Sequence, residues 1–206
     1  MRKALLCLIA ACLSIGLLAE PLTFSGGYTQ VVRSASGQRI VLGEGAAVDS
    51  GNLTLSAQAI ELYGEDYSMV KATGSVSVYE KDRQISLQCP SVFYDRTSGL
   101  LTADGWIEIQ DTRNEAVLSG AYMEFNVTSG LLLLQMQASM HKATSKGLLK
   151  CEAQSISYDS EKRTLVLSGS AVLEWDKDIY KASMIRIDID KEEIQMDGWV
   201  TGTVNG

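Results

Sequence analysis

The sequence predicts an all-β protein built from a strand–turn–strand repeat of roughly thirty residues. Three observations predict it. Apolar and polar residues alternate at period two through most of the chain after residue 20. A short apolar anchor recurs at steps of 32, 31, 33 and 29 residues. Glycine is abundant at 18 and proline scarce at 2, a balance that suits many tight turns between strands.

The first nineteen residues stand apart. Arg2 and Lys3 precede an almost wholly apolar run from Ala4 to Leu18, and Ala19 comes before Glu20. That order reads as a secretory signal peptide cleaved after Ala19, leaving residues 20–206 as a single β domain. The apolar run is short for a membrane span, which takes about 20 residues. Two alternatives stay open: an uncleaved N-terminal anchor, and lipid attachment at Cys12 after Ile9-Ala10-Ala11. Removing the segment takes away Arg2 and Lys3 and moves the net charge from −7 to −9. An acidic chain without clustered Lys and Arg argues against a nucleic-acid partner.

The strands follow in order. Leu53, Leu55 and Ala57 alternate with polar residues, as do Ile85, Leu87 and Cys89. Leu134, Met136, Ala138 and Met140 form a third set, and Ile185, Ile187 and Ile189 a last one. Each anchor is an apolar residue and a bulky one two places on, often followed by Asp or Asn: Ile60-Glu61-Leu62, Val92-Phe93-Tyr94-Asp95, Met123-Glu124-Phe125-Asn126, Ile156-Ser157-Tyr158-Asp159 and Ile185-Arg186-Ile187-Asp188. A glycine thirteen or fourteen residues later opens a second strand, at Gly74, Gly105, Gly169 and Gly198. The third copy has Gln137 in that place, which makes it the expected point of deviation. The glycines read as bends or bulges where strands crowd. Asp95 and Asp159 stand before turn-prone clusters and suit side-chain-capped turns. With one strand per repeat in each sheet at ~4.8 Å spacing, five to six copies would span about 25–30 Å. One unit cannot bury its apolar face alone, whereas stacked units share a continuous core.

Three stretches carry a family resemblance: Leu55-Ser56-Ala57-Gln58-Ala59-Ile60, Thr73-Gly74-Ser75-Val76-Ser77-Val78 and Ala153-Gln154-Ser155-Ile156-Ser157-Tyr158-Asp159. Together they make most of residues 40–202 resemble the LptA/OstA-type family of periplasmic lipopolysaccharide-transport proteins. The resemblance implies an open, twisted β-jelly roll whose two sheets form a slot for lipopolysaccharide or a related glycolipid. It also implies a periplasmic location, no catalytic residues and no cofactor. Its implied partners are inner-membrane and outer-membrane transport components with similar jelly rolls, and further copies joined end to end. The missing third glycine and two cysteines in the exported part depart from that pattern.

Lipid-slot residues should come from the inward set: Leu55, Ile60, Val76, Val78, Leu87, Ile107, Ile109, Leu134, Met136, Leu167 and Ile187. Cys89 and Cys151 should also face inward. They are a possible disulfide, but two repeats of stacking put them about 9–10 Å apart by strand spacing. A disulfide needs Cα atoms within ~7 Å, so two free thiols are the preferred reading. Trp106 and Trp199 directly follow repeat glycines and should face outward. The single histidine, His141, has no triad or zinc spacing around it. The acidic residues Glu65, Asp66, Glu80, Asp82, Glu174, Asp176 and Asp178 read as a solvated face rather than the paired carboxylates of a glycosidase or lyase. A structural or adhesive β-solenoid that carries nothing is the alternative to the carrier.

Overall fold

Aliphatic and aromatic residues at every second position give each segment one face to bury, which favours strands over helices. The computed structural model describes residues 22–34 and 37–205. The assigned signal segment, with its anchor and lipidation alternatives, lies outside them. The strands are β1 (Leu22–Ser25), β2 (Tyr28–Ser34), β3 (Gly37–Ser50), β4 (Leu53–Tyr63), β5 (Met69–Glu80), β6 (Ile85–Asp95) and β7 (Leu100–Asp111). There follow β8 (Ala116–Asn126), β9 (Leu131–Thr144), β10 (Gly147–Asp159), β11 (Thr164–Trp175), β12 (Asp178–Asp188), β13 (Glu193–Asp197) and β14 (Thr201–Thr203). A short 3-10 turn, Glu65–Tyr67, separates β4 from β5.

All these strands join one antiparallel sheet. Its order is β1-β3-β4 and then sequential to β13, with β2 also on β3 and β14 also on β12. Each central strand therefore pairs with its chain neighbours. Among the described residues no pairing joins the first and last strands, so the sheet is open.

Each long strand is interrupted at its middle, and this folds the sheet on itself. In β5 the inward residues are Val70 and Ala72, then Val76 and Val78, a step of four. The same step separates Leu42 from Ala46, Ala103 from Ile107, Leu134 from Ala138, and Leu167 from Ala171. The even-numbered strands step by three instead, as from Cys89 to Val92 and from Ala153 to Ile156. Register shifts mark these positions in every central pairing, as between Thr73 and Val76. The irregular step keeps the apolar face inward on both sides of the corner, so the two halves of the sheet face each other. Leu53, Val78, Ile85 and Ile109 from one half line the same small void as Leu101, Met123, Phe125 and Leu132 from the other. The result is the open β-jelly roll expected, with a core running its whole length.

Two expectations change. Each repeat adds two strands to the sheet, not one, because every strand from β3 to β12 passes through both halves. The twelve strands on the main path thus span about 53 Å at ~4.8 Å spacing, twice the expected width. The third copy also keeps its corner. The corners in β5 and β11 pair two left-handed residues, Gly74 with Ser75 and Gly169 with Ser170. In β9 this pair is Met136 and Gln137, at φ 60° and 58°. Met136, rather than Gln137, stands in the glycine's place. A Cβ at Gly169 would come within 2.4 Å of Gln154 Oε1. The matching register position across from Met136 is Ala121, which is small, so a side chain is tolerated there.

Six of the hairpin turns share one device. A carboxylate or amide at the strand end accepts backbone N–H groups from the turn. Asp95 Oδ1 accepts Thr97 N at 2.8 Å, Asn126 Oδ1 accepts Ser129 N at 2.8 Å, and Asp159 Oδ1 accepts Lys162 N at 2.9 Å. Asp111, Asp188 and Glu80 do the same for Asn114, Lys191 and Arg83. The expectation for Asp95 and Asp159 holds, and four further turns use the same device.

Replacing Met136 with glycine should raise stability by about 0.5–1 kcal/mol, because a left-handed non-glycine residue costs ~1–2 kcal/mol and glycine's unfolded-state entropy returns part of it. Thermal unfolding should show a midpoint roughly 1–4 °C higher. A second outcome concerns acid. The Ser98 hydroxyl holds the Asp95 carboxyl below its usual range, and the Lys191 ammonium does the same for Asp188. Their contribution is present above pH ~4 and is lost as pH falls through the depressed values. Asp95→Asn/Asp188→Asn keeps the turns, as Asn126 does, and should flatten the stability loss below pH ~4 in denaturant titrations.

Candidate functional site

The inward faces of the two halves pack into one apolar core. Leu55, Ile60, Val76, Val78, Leu87, Ile107, Ile109, Leu134, Leu167 and Ile187 all lie buried in it, none more than 5% exposed. Met136 does not. It is 61% exposed, because the corner in β9 turns its side chain outward and the inward sequence passes from Leu134 straight to Ala138. Trp106 and Trp199 are exposed, as expected from the glycines before them.

The two cysteines are buried and free. Cys89 is on β6 and Cys151 on β10, four strands apart, or about 19 Å at the usual spacing. The preferred free-thiol reading holds, with a wider separation than repeat stacking suggested. Burial pushes the Cys89 thiol up to about 11 and Cys151 further still. Neither thiol is a nucleophile at neutral pH. His141 is exposed on β9, with Val117 and Lys150 as its register neighbours. No group of three or more His, Cys, Asp or Glu among the described residues is placed to hold a metal ion.

The core is closed. Its side chains fill it, and the void between the halves is about 10 Å³. Opposite the corners, the free ends of the two halves meet in a polar seam. The inward alternation runs on to a charged residue in three successive repeats: Glu80 after Val78, Asp111 after Ile109, and Lys142 after Met140. All three are buried. Glu80 was expected at the surface and is 1% exposed, because it continues the inward parity of β5. The same parity was the available signal for Asp111 and Lys142.

Partners satisfy these charges across the seam. Tyr158 Oη donates to Asp111 Oδ2 at 3.0 Å. Burial, then the neighbouring Asp111 charge, raises the Tyr158 hydroxyl's pKa, so it stays a donor. Arg83 pairs with Glu80 at 3.5 Å in its own half. It reaches across to Val127 O at 2.9 Å and Thr128 O at 3.2 Å, and to Glu161 at 3.3 Å. Arg96 Nε donates to Ser50 Oγ at 3.2 Å, and Lys146 pairs with Glu192 at 2.5 Å. Lys142 Nζ donates to Asn114 O, and burial lowers its pKa.

A long apolar interior, a polar mouth and a hairpin repeat in one open sheet form the setting for the comparisons. Residues 134–193 match the LptA/(LptD N-terminal domain) LPS transport protein family. The matched stretch runs from the β9 corner into β13, and it bears out the resemblance to LptA-type proteins. One solved structure that aligns is LptH from Pseudomonas aeruginosa, described as the LptA homologous periplasmic component of the conserved lipopolysaccharide transport device. The alignment covers 91% of this chain and 96% of that one, at 10% identity and a TM-score of 0.29. No curated protein matches. Strand order and repeat, rather than that superposition, carry the fold.

Arg83→Met should leave Glu80 buried and unpaired, at a cost of about 3–5 kcal/mol. Urea unfolding should show most of that loss recovered in Glu80→Gln/Arg83→Met, which removes the orphaned charge.

Proposed function

We propose that this protein is a non-enzymatic periplasmic component of lipopolysaccharide transport, shielding acyl chains of lipopolysaccharide or a related glycolipid between the halves of its sheet. The observation that carries the reading is the match of residues 134–193 to the transport family on a chain whose inward faces form one uninterrupted apolar core. Each methylene held out of water is worth ~0.8 kcal/mol, so several acyl chains crossing an aqueous space bare would cost tens of kcal/mol. An apolar slot removes that cost without any chemical step.

Loading requires the two halves to part. The corners are backbone hinges on one side, and the polar seam is the side that opens. Its ion pairs re-solvate when broken, whereas an apolar seam would not. The open edges of the sheet are free to pair with similar jelly rolls or further copies in an inner-to-outer membrane bridge. A second reading, a structural or adhesive stack that carries nothing, is favoured by how fully side chains fill the core.

A photo-crosslinking residue at Leu134 should capture glycolipid in cells, and one at Gln135 should not. Crosslinks confined to Gln135 or Ser86 would sink the slot assignment. Mass spectrometry of lipid co-purified with the exported chain separates the two readings, since the stack that carries nothing would bring none.

A further inference from the structure

One turn breaks the repeat. The other turns at the same end of the sheet, at 96–99, 127–130, 160–163 and 189–192, are side-chain-capped. The turn between β4 and β5 is instead the 3-10 segment Glu65–Tyr67, where no side chain caps the start. Asp66 and Tyr67 are both left-handed, at φ 50° and 53°, without being glycine. Strain of this kind costs about 1–3 kcal/mol and is retained where the conformation serves a purpose.

This turn borders a cleft of about 740 Å³ at the slot's mouth. Glu65 and Asp66 line it from one half, with Arg96 beside them. Asp82 and Arg83 line it from the other. Buried Leu53 is part of its lining and also lines the void between the halves, so the cleft stands directly over the apolar interior. A cleft of mixed polarity joined to an apolar void through the Leu53 side chain suits an amphiphile.

The charges narrow the headgroup. Three carboxylates, Glu65, Asp66 and Asp82, outnumber the two guanidiniums. Arg83 is already paired with Glu80 and Glu161, and Arg96 donates to Ser50 and to the carbonyls of Asp66 and Tyr67. A site for a bare phosphate would present uncommitted cations. Asn52 Nδ2 already donates to Asp82, which leaves the Glu65 and Asp66 carboxylates and the hydroxyls at Ser68 and Thr97 to suit a headgroup rich in hydroxyls, which both donates and accepts.

We propose that this cleft receives the saccharide headgroup of the carried amphiphile, while its acyl chains enter the slot past Leu53. The proposal rests on the carrier reading and adds a place and a chemistry for the headgroup.

Two probes with the same twelve-carbon chain test it on the exported chain: dodecyl maltoside and dodecyl phosphate, titrated calorimetrically below their micelle concentrations. Dodecyl maltoside should bind about tenfold tighter, as one or two added hydrogen bonds to charged groups would give. Glu65→Gln/Asp66→Asn should erase that preference by weakening maltoside binding, with dodecyl phosphate affinity unchanged or higher. Both residues are exposed, and circular dichroism checks that the variant stays folded, with Glu65→Gln alone as the milder version. Equal affinities, a preference for dodecyl phosphate, or a maltoside preference that survives the substitutions would each overturn the assignment. Failure of both probes to bind would instead bring down the carrier reading, and the headgroup site with it.

Discussion

Everything in this molecule depends on one backbone constraint, the mid-strand corner. A strand alternates its side chains with period two, and an uninterrupted strand cannot lie in two facing layers with the same residues inward throughout. Steps of four in one set of strands and three in the next solve this repeatedly. The left-handed pairs at Gly74-Ser75 and Gly169-Ser170 supply the turn in backbone direction. Without them the sheet would lie flat with one apolar face in water. With them it closes over its own core, and neighbouring strands must bend in step or lose their pairing.

The corner also explains where charge goes. Moving outward from the hinge, each strand brings two or three apolar residues inward before it reaches the free end. The next inward position falls at the mouth, and it is there that Glu80, Asp111 and Lys142 lie. A charge deeper in would have no water and no partner. At the mouth Asp111 meets Tyr158 of the opposite half, while Arg83 pairs with Glu80 and itself reaches the Val127 and Thr128 carbonyls across the seam. One side of the sandwich is thus held by covalent chain and the other by polar contacts, which makes the mechanical behaviour of the two sides different.

Much of this was legible in the sequence. The alternation, the anchors and the glycines mark strands, turns and corners, and ten of the eleven residues assigned to a slot lie in the buried core. Met136 failed because strict period two was carried through a corner that has no glycine to announce it. The step from Leu134 to Ala138 becomes visible only when β9 is aligned with Ala103–Ile107 and Leu167–Ala171. The width of the sheet was underestimated because the sequence shows hairpins, while the fact that each strand crosses both halves is a property of three-dimensional pairing. The seam partners were not legible. Tyr158 and Asp111 are 47 residues apart, and nothing local in either segment links them.

Because every central strand pairs only with its neighbours in the chain, the sheet behaves as a ruler. Duplicating one hairpin inserts two strands and lengthens the body by about 9.6 Å, with no contact elsewhere redesigned. Deleting one shortens it by the same amount. The length of such a body is set one repeat at a time.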